Sequence, residues 1–264
     1  MTLISSQTET PVKLADMWSV SGQLLHTPSY RQAHASILAA AIGRRDHSIL
    51  DAACGTGFPM IELHDLGFTD LAGSDADADL LEKFRDRVPP GWHPMLTVAT
   101  WQNLPQAITR PFDAVLCVDA AIGFMDSWLP GEMRQGPDSI FARVTEVLAN
   151  FRAVTAPGGR FFIGLQKNNH KGNHFYPMRV GEMEIEGRLA EAHWHMTYDW
   201  ETRIKTWLNI VRIDGREYAQ TRRSYLFDLA ELGEFLRAAG FARVERLPTP
   251  EDLYEDILIA HRAP

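Results

Sequence analysis

The stretch "ILDAACGTGF", Ile49–Phe58, decides how this chain reads. It opens short and apolar, like a strand buried on both faces, and Asp51 closes that strand with an acid. Gly55 and Gly57 then make a turn that lets backbone amides approach a ligand at the head of a helix. A dinucleotide site would want a third glycine, so that the helix packs closely on the strand. Phe58, Pro59 and Met60 follow Gly57 instead, and the geometry that remains does not by itself need a phosphate.

Outward from this turn the chain alternates helix and strand signals. Upstream, "PSYRQAHASILAAAIG" is alanine-rich, with proline at its start and glycine at its end, as in a helix. Downstream, "DLAGSD", "PMLTVAT", "FDAVLCVD" and "GRFFIGLQ" read as strands. Between them lie two amphipathic helices. Leu80, Leu81, Phe84 and Val88 share one face of the first; Ile140, Phe141, Val144, Val147, Leu148 and Phe151 share one face of the second. The pattern predicts an α/β fold: a Rossmann-like sheet of seven mostly parallel strands, one antiparallel strand at its edge, and helices on both faces. After Gln166 three strand-like runs follow, "HWHMTYDWE", "RIKTWLNIVRIDG" and "REYAQTRRSYLFD", the last two joined at a "DG" hairpin signal. They predict an antiparallel three-stranded insertion. The expected organisation is an N-terminal helical cap over residues 1–45, a core over 46–166 and 228–264, and an insertion over 167–227.

Composition narrows the function classes. With 264 residues, 45% hydrophobic and 23% charged, the chain can bury an ordinary core as one large domain. A formal net charge of −8, with no run of like charge, argues against nucleic acid as partner, which needs a basic face. The start "MTLISSQTET" lacks the pattern of a secretory signal, and no segment approaches the apolar length of a membrane span. A cytoplasmic protein without membrane partners is expected. Cys54 and Cys117 have no neighbours at metal-ligand spacing, so they read as reduced thiols and no metal site is expected.

The ordered motifs resemble the class I S-adenosylmethionine-dependent methyltransferases, whose first motif runs acid-x-x-x-G-x-G after a strand. Asp51, Gly55 and Gly57 fit it, and Asp75 in "LAGSDADADLL" stands where the family receives the ribose hydroxyls. A carboxylate can accept both hydroxyls of a ribose at once. Asp77 is placed to cap the following helix, which leaves Asp75 free. "VATWQNLP" stands where the family contacts adenine, "FDAVLCVDAA" at the fourth strand and "VTAPGGRFFIG" at the fifth. The resemblance thus implies S-adenosylmethionine as cofactor, with S-adenosylhomocysteine as product. Its implied contacts are Asp51, Ala53, Gly55, Thr56, Gly57, Asp75, Ala76, Thr100, Trp101 and Val118, with Trp18 and Arg31 in a covering N-terminal segment. Asp51 either touches ligand or hydrogen-bonds the turn's own amides, and Trp101 either flanks adenine or packs in the core.

Within the class the chain is most similar to the glycine N-methyltransferase-like and small-molecule N-methyltransferase group, through "ILDAACGTG", "ATW" and "FDAVLC". It departs from glycine N-methyltransferases where Asp119, Ala120 and Ala121 replace a Gly-Asn-Ser stretch, and where "LQKNNH" replaces an arginine-bearing segment. Lys167 offers a point charge where arginine offers a planar fork, which makes glycine a doubtful acceptor. The resemblance implies methyl transfer to a small molecule, most readily a nitrogen; oxygen or carbon acceptors and a non-catalytic cofactor-binding role stay open. An amine must arrive unprotonated, so a carboxylate or neutral histidine is wanted. Candidates are Asp119, His170 and His174, with His193 and His195 behind them. Candidate acceptor contacts are Lys167, Asn169, Phe124, Trp194, Tyr198 and Tyr225, the last three from an aromatic-rich insertion read as a lid. Ring faces there suit a sulfonium donor and aminium product, although aromatics also favour strands for packing alone. The family allows a homodimer.

Overall fold

The computed structural model describes residues 13–125, 137–167, 174–185 and 187–264. Helices α1 (Leu14–Leu25) and α2 (Pro28–Ile42) come first. The chain then alternates β1 (Ile49–Asp51), α3 (Met60–Asp65), β2 (Leu71–Asp75), α4 (Ala78–Arg87), β3 (Met95–Val98), α5 (Leu104–Ala107), β4 (Phe112–Cys117), α6 (Pro137–Val154) and β5 (Thr155–Gln166). Four long strands follow, β6 (His174–Ile185), β7 (Arg188–Asp199), β8 (Ile204–Ile213) and β9 (Arg216–Tyr225). Then come α7 (Leu229–Ala238), β10 (Arg243–Leu247) and β11 (Glu255–His261).

Seven of these strands make one sheet in the order β10-β11-β5-β4-β1-β2-β3. Strands β1 to β5 pair in parallel, and β11 runs antiparallel to both β5 and β10. The antiparallel strand therefore lies one place in from the edge. Period-two alternation in β4 distributes the core: Val115 and Cys117 pack with α6 residues Val144, Leu148 and Phe151, while Ala114 and Leu116 pack with Leu38 and Ile42 of α2 and Phe84 of α4. Helix starts follow the sequence signals. Thr27 caps α2 ahead of Pro28, Asp77 caps α4, and Asp228 with Glu231 forms a capping box on α7. Because connections leave β1 and β4 in opposite directions, their carboxyl ends open a crevice at the topological switch point.

The second sheet has four antiparallel strands, β6-β7-β8-β9, rather than the three expected. Its extra strand, "HFYPMRVGEMEI", is interrupted by Pro177 and by a register shift between Arg179 and Gly181, which weakens any strand signal in the sequence. The turn between β8 and β9 is the expected one, with Asp214 and Gly215 at φ 49° and 78°. Alternate residues of β7, from Ala190 through Ala192, Trp194 and Met196 to Tyr198, are buried. Ala192 packs with Met17 and Leu24 of α1, and Trp18 stacks on Trp194 with ring centres 6.3 Å apart. Helix α1 is thus held between the second sheet and the crevice. Among the described residues no helix is long and apolar enough to cross a membrane.

Candidate active site

The crevice holds a cavity of about 390 Å³, and its floor is the turn after β1. Gly55, at φ 48°, lines it and donates its amide to Asp75 Oδ2 at 2.9 Å. Asp75 Oδ1 accepts the Asp77 amide at 2.9 Å. Both oxygens of this half-buried carboxylate are thereby fixed in place, and each keeps a lone pair for a ligand. Burial pushes the carboxyl up to about 6 against the pull of those amides.

Two residues of the opening motif stand behind the cavity instead of in it. Asp51, 1% exposed, accepts the Ala53 amide at 3.1 Å, and burial pushes its carboxyl up to about 8. Gly57, at φ 104°, faces α4: a Cβ there would meet the Phe84 ring at 2.6 Å. Asp51 orients the turn, and Gly57 allows the helix to pack close. Neither lines the cavity.

Other expected contacts do converge on it. Ala53, Thr56, Ala76 and Val118 line the walls. Thr100 and Trp101 line one end, where the indole donates to the Ala52 carbonyl at 2.6 Å and also packs on Phe151, so Trp101 serves wall and core together. Trp18 closes the cavity from α1. Arg31 lines the other end, but its Nε and Nη2 both lie 2.5 Å from Glu62 Oε1. The neighbouring Arg87, which the sequence reading passed over, donates to Thr56 Oγ1 at 3.0 Å and has no carboxylate partner among the described residues. Burial and the charge of Arg31 push its pKa down. As a basic residue ending α4 it resembled an ordinary complement to the helix dipole.

At the β4 side, Asp119 and Ala120 both take left-handed backbone conformations, φ 59° and 54°. Such conformations cost ~1–3 kcal/mol each for residues other than glycine. Asp119 and Phe124 line the cavity, as does His26 beside them. His26 Nε2 lies 3.0 Å from Asp119 Oδ1.

Residues 49–134, the segment that builds this floor, match the family model described as a methyltransferase domain. Those residues carry a methyltransferase domain. The cofactor of such a domain is S-adenosylmethionine, and the cavity suits its parts: Asp75 can accept ribose hydroxyls, and Arg87 is a half-buried cation beside the turn, fit for a carboxylate.

No curated protein matches the chain by sequence. Solved structures share its methyltransferase fold. DesVI of Streptomyces venezuelae is 21% identical, with a TM-score of 0.72 over 96% of this chain and 100% of that one. The sugar N-methyltransferase KedS8 from a Streptoalloteichus species is 17% identical, with a TM-score of 0.71 over 100% and 99%. CalS10, an amino pentose methyltransferase from Micromonospora echinaspora involved in calicheamicin biosynthesis and solved with S-adenosylmethionine bound, is 20% identical, with a TM-score of 0.68 over 97% and 100%.

The expected acceptor contacts fare differently from those of the methyltransferase cofactor. Trp194, Tyr198 and Tyr225 are buried and do not line the cavity. The Trp194 indole donates to Asn209 Oδ1 at 3.1 Å, and Trp194 and Tyr198 form the second sheet's own core with Trp207. Strand alternation turns these rings inward, so they pack rather than face ligand. Lys167 turns away to bond the Pro250 carbonyl. His193, on the other face of β7, pairs with Glu191 at 3.2 Å. Asn169 and His170 lie outside the described residues, as does the side chain of His174 at the start of β6.

Proposed function

We propose that the protein transfers the methyl group of S-adenosylmethionine to a nitrogen of a small-molecule acceptor, an amino sugar or a related amino-substituted metabolite. The observation that carries this reading is the meeting of Asp75 and the Gly55 turn with Asp119 across one cavity. The first pair suits a nucleoside, and the acid opposite suits a cationic acceptor. Whole-length likeness to KedS8 and CalS10, described as acting on a sugar nitrogen and an amino pentose, supports the acceptor class.

When bound, S-adenosylmethionine supplies a carbon activated by positive sulfur, and displacement at that carbon needs no metal. The chain's contribution is placement and exclusion of water, where effective molarity supplies ~7–11 kcal/mol of barrier lowering. Asp75 and the Gly55 turn hold the nucleoside. Arg87, with Arg31 beside it, faces the carboxylate, and the Trp18 face of α1 covers the sulfonium, where cation–π attraction is worth ~0.5–2 kcal/mol. In this reading residues 1–45 are the cap, 46–166 with 228–264 the core, and 167–227 a lid that presses α1 onto the crevice. The second sheet acts through α1 rather than by lending its own aromatics to the pocket.

The test is a panel of amino sugars, simple amines, phenols and carboxylic acids, each incubated with the full chain and S-adenosylmethionine, with S-adenosylhomocysteine and methylated product read by mass spectrometry. Turnover confined to amines supports the proposal. Turnover of phenols or acids in their place would overturn the nitrogen assignment, and binding without any turnover would overturn the catalytic one.

A further inference from the structure

We infer that Asp119, held in place by His26, takes the proton from the acceptor's ammonium group; the inference rests on the amine reading above. Three elements far apart in the chain converge on the two-residue turn after β4. Glu255 Oε2 of β11 accepts the Ala120 amide at 3.0 Å. Glu255 Oε1 lies 2.6 Å from His34 Nε2 of α2, and both side chains are wholly buried. His26, which ends α1, holds Asp119 Oδ1 and is itself packed against the rings of Phe58, at 4.5 Å, and Tyr30, at 5.4 Å.

That is heavy scaffolding for a left-handed pair of residues, and what it accomplishes is to aim one carboxylate into the cavity. The Asp119 side chain is 18% exposed against 5% for His26, and its Oδ2 makes no bond among the described residues. One oxygen is therefore committed to the imidazole while the other faces an incoming group. Strain that the surroundings over-determine is a mark of function. Anchoring α1 alone would not require an exposed carboxylate or a left-handed turn.

The chemistry follows. An aliphatic amine near neutral pH is an ammonium ion without a lone pair. Its N–H bond breaks toward Asp119, the proton resides on the Asp119–His26 pair, and the electron pair stays on nitrogen. That lone pair forms the new N–C bond as the C–S bond breaks; the C–S electrons remain on sulfur, which becomes a neutral thioether. The pair then returns its proton to solvent, leaving a methylated aminium product. The titratable groups facing this pair are Tyr30 from α2, Tyr254 and Glu255 from the β11 side, and Asp51 from β1. Asp119 is the catalytic residue and His26 its positioning partner.

The test uses the full chain with glucosamine and 3-amino-3-deoxyglucose as probe amines, measuring kcat from pH 6.5 to 10 and cofactor affinity by calorimetry for wild type, Asp119→Asn and His26→Gln. General-base losses run about 10²- to 10⁴-fold, so Asp119→Asn should lose at least ~100-fold in kcat at pH 7. His26→Gln, whose amide still holds Asp119 but carries no proton, should lose about tenfold. Both deficits should shrink several-fold above the amine pKa, where the acceptor arrives neutral, and S-adenosylmethionine affinity should stay within threefold. A deficit equal at every pH, or one explained by lost cofactor affinity, overturns the proton-acceptor role and leaves the methyltransferase reading standing. Cofactor binding with no turnover of either amine by the wild-type chain overturns the amine reading and this inference with it.

Discussion

The two sides of the cavity are built on different principles. On the β2 side the ligand-facing acid is held by backbone amides close in sequence: Asp75 by Gly55, 20 positions away, and by Asp77, 2 away. On the β4 side Asp119 is held by side chains from afar: His26, 93 positions away, with the adjacent amide on Glu255, 135 away, which in turn meets His34, 221 away. Backbone amides in a turn tolerate many neighbouring side chains, whereas a chain of side-chain contacts fails if one member changes. The difference suits a shared cofactor on one side and a particular acceptor on the other.

The largest way to break the comparison is at Gly164. A Cβ there would fall 1.7 Å from Glu255 Oε2, so Gly164→Ala must displace a buried carboxylate. A cost of about 3–5 kcal/mol is expected, read in denaturant unfolding, and kcat should fall more than cofactor affinity because the scaffold under Asp119 is lost. Equal stability in the two proteins would show that the Glu255 network holds nothing in place.

Next come the arginines. Arg87 has no carboxylate partner among the described residues while Arg31 is neutralised by Glu62, so Arg87→Gln should weaken S-adenosylmethionine binding about tenfold and Arg31→Gln about twofold. The reverse order, measured by calorimetry, would move the carboxylate site to Arg31.

Acidity sharpens the contrast further. In the proposed reading Asp75 receives the ribose hydroxyls as a carboxylate, and its raised pKa of about 6 means that it gains a proton well above the usual carboxylate range. Cofactor affinity should therefore be flat above pH 7 and fall as pH drops through 6, by up to about tenfold per unit. Stability has the opposite sign. The folded state holds the Asp75 and Asp51 protons more tightly than the unfolded chain does, so these groups favour folding at low pH and lose that contribution as pH rises through 6 and through 8.

The smallest effect belongs to the second sheet. Trp194→Phe removes the hydrogen bond to Asn209 and some buried area, costing about 1–2 kcal/mol or a few degrees in Tm, with cofactor affinity unchanged. A large loss of affinity at constant stability would place this ring in the pocket after all.

Legibility in the sequence follows the same division. The sheet and its parallel order were readable because strand burial, helix faces and turn glycines are local signals, and Asp77 caps α4 as its position suggested. At Gly57 the sequence is ambiguous, because a glycine required for the approach of Phe84 looks the same as one required by a ligand. The aromatics of β7 misled for a related reason: alternation shows that Trp194 and Tyr198 share a face but not what that face meets, which is α1. His26, Glu255 and His34 carry no local pattern at all. Their relation to Asp119 exists only after residues up to 221 positions apart are folded together.

The most direct test of the account is a calorimetric titration of the full chain and of Asp75→Ala with S-adenosylmethionine at pH 7.5. The wild-type chain should bind one equivalent. The variant lacks the acceptor that fixes the Gly55 amide and, with it, the carboxylate proposed to receive the ribose, and should bind at least about 100-fold more weakly while unfolding at a similar temperature. Absence of binding by the wild-type chain, or equal affinity in the two proteins, would contradict it.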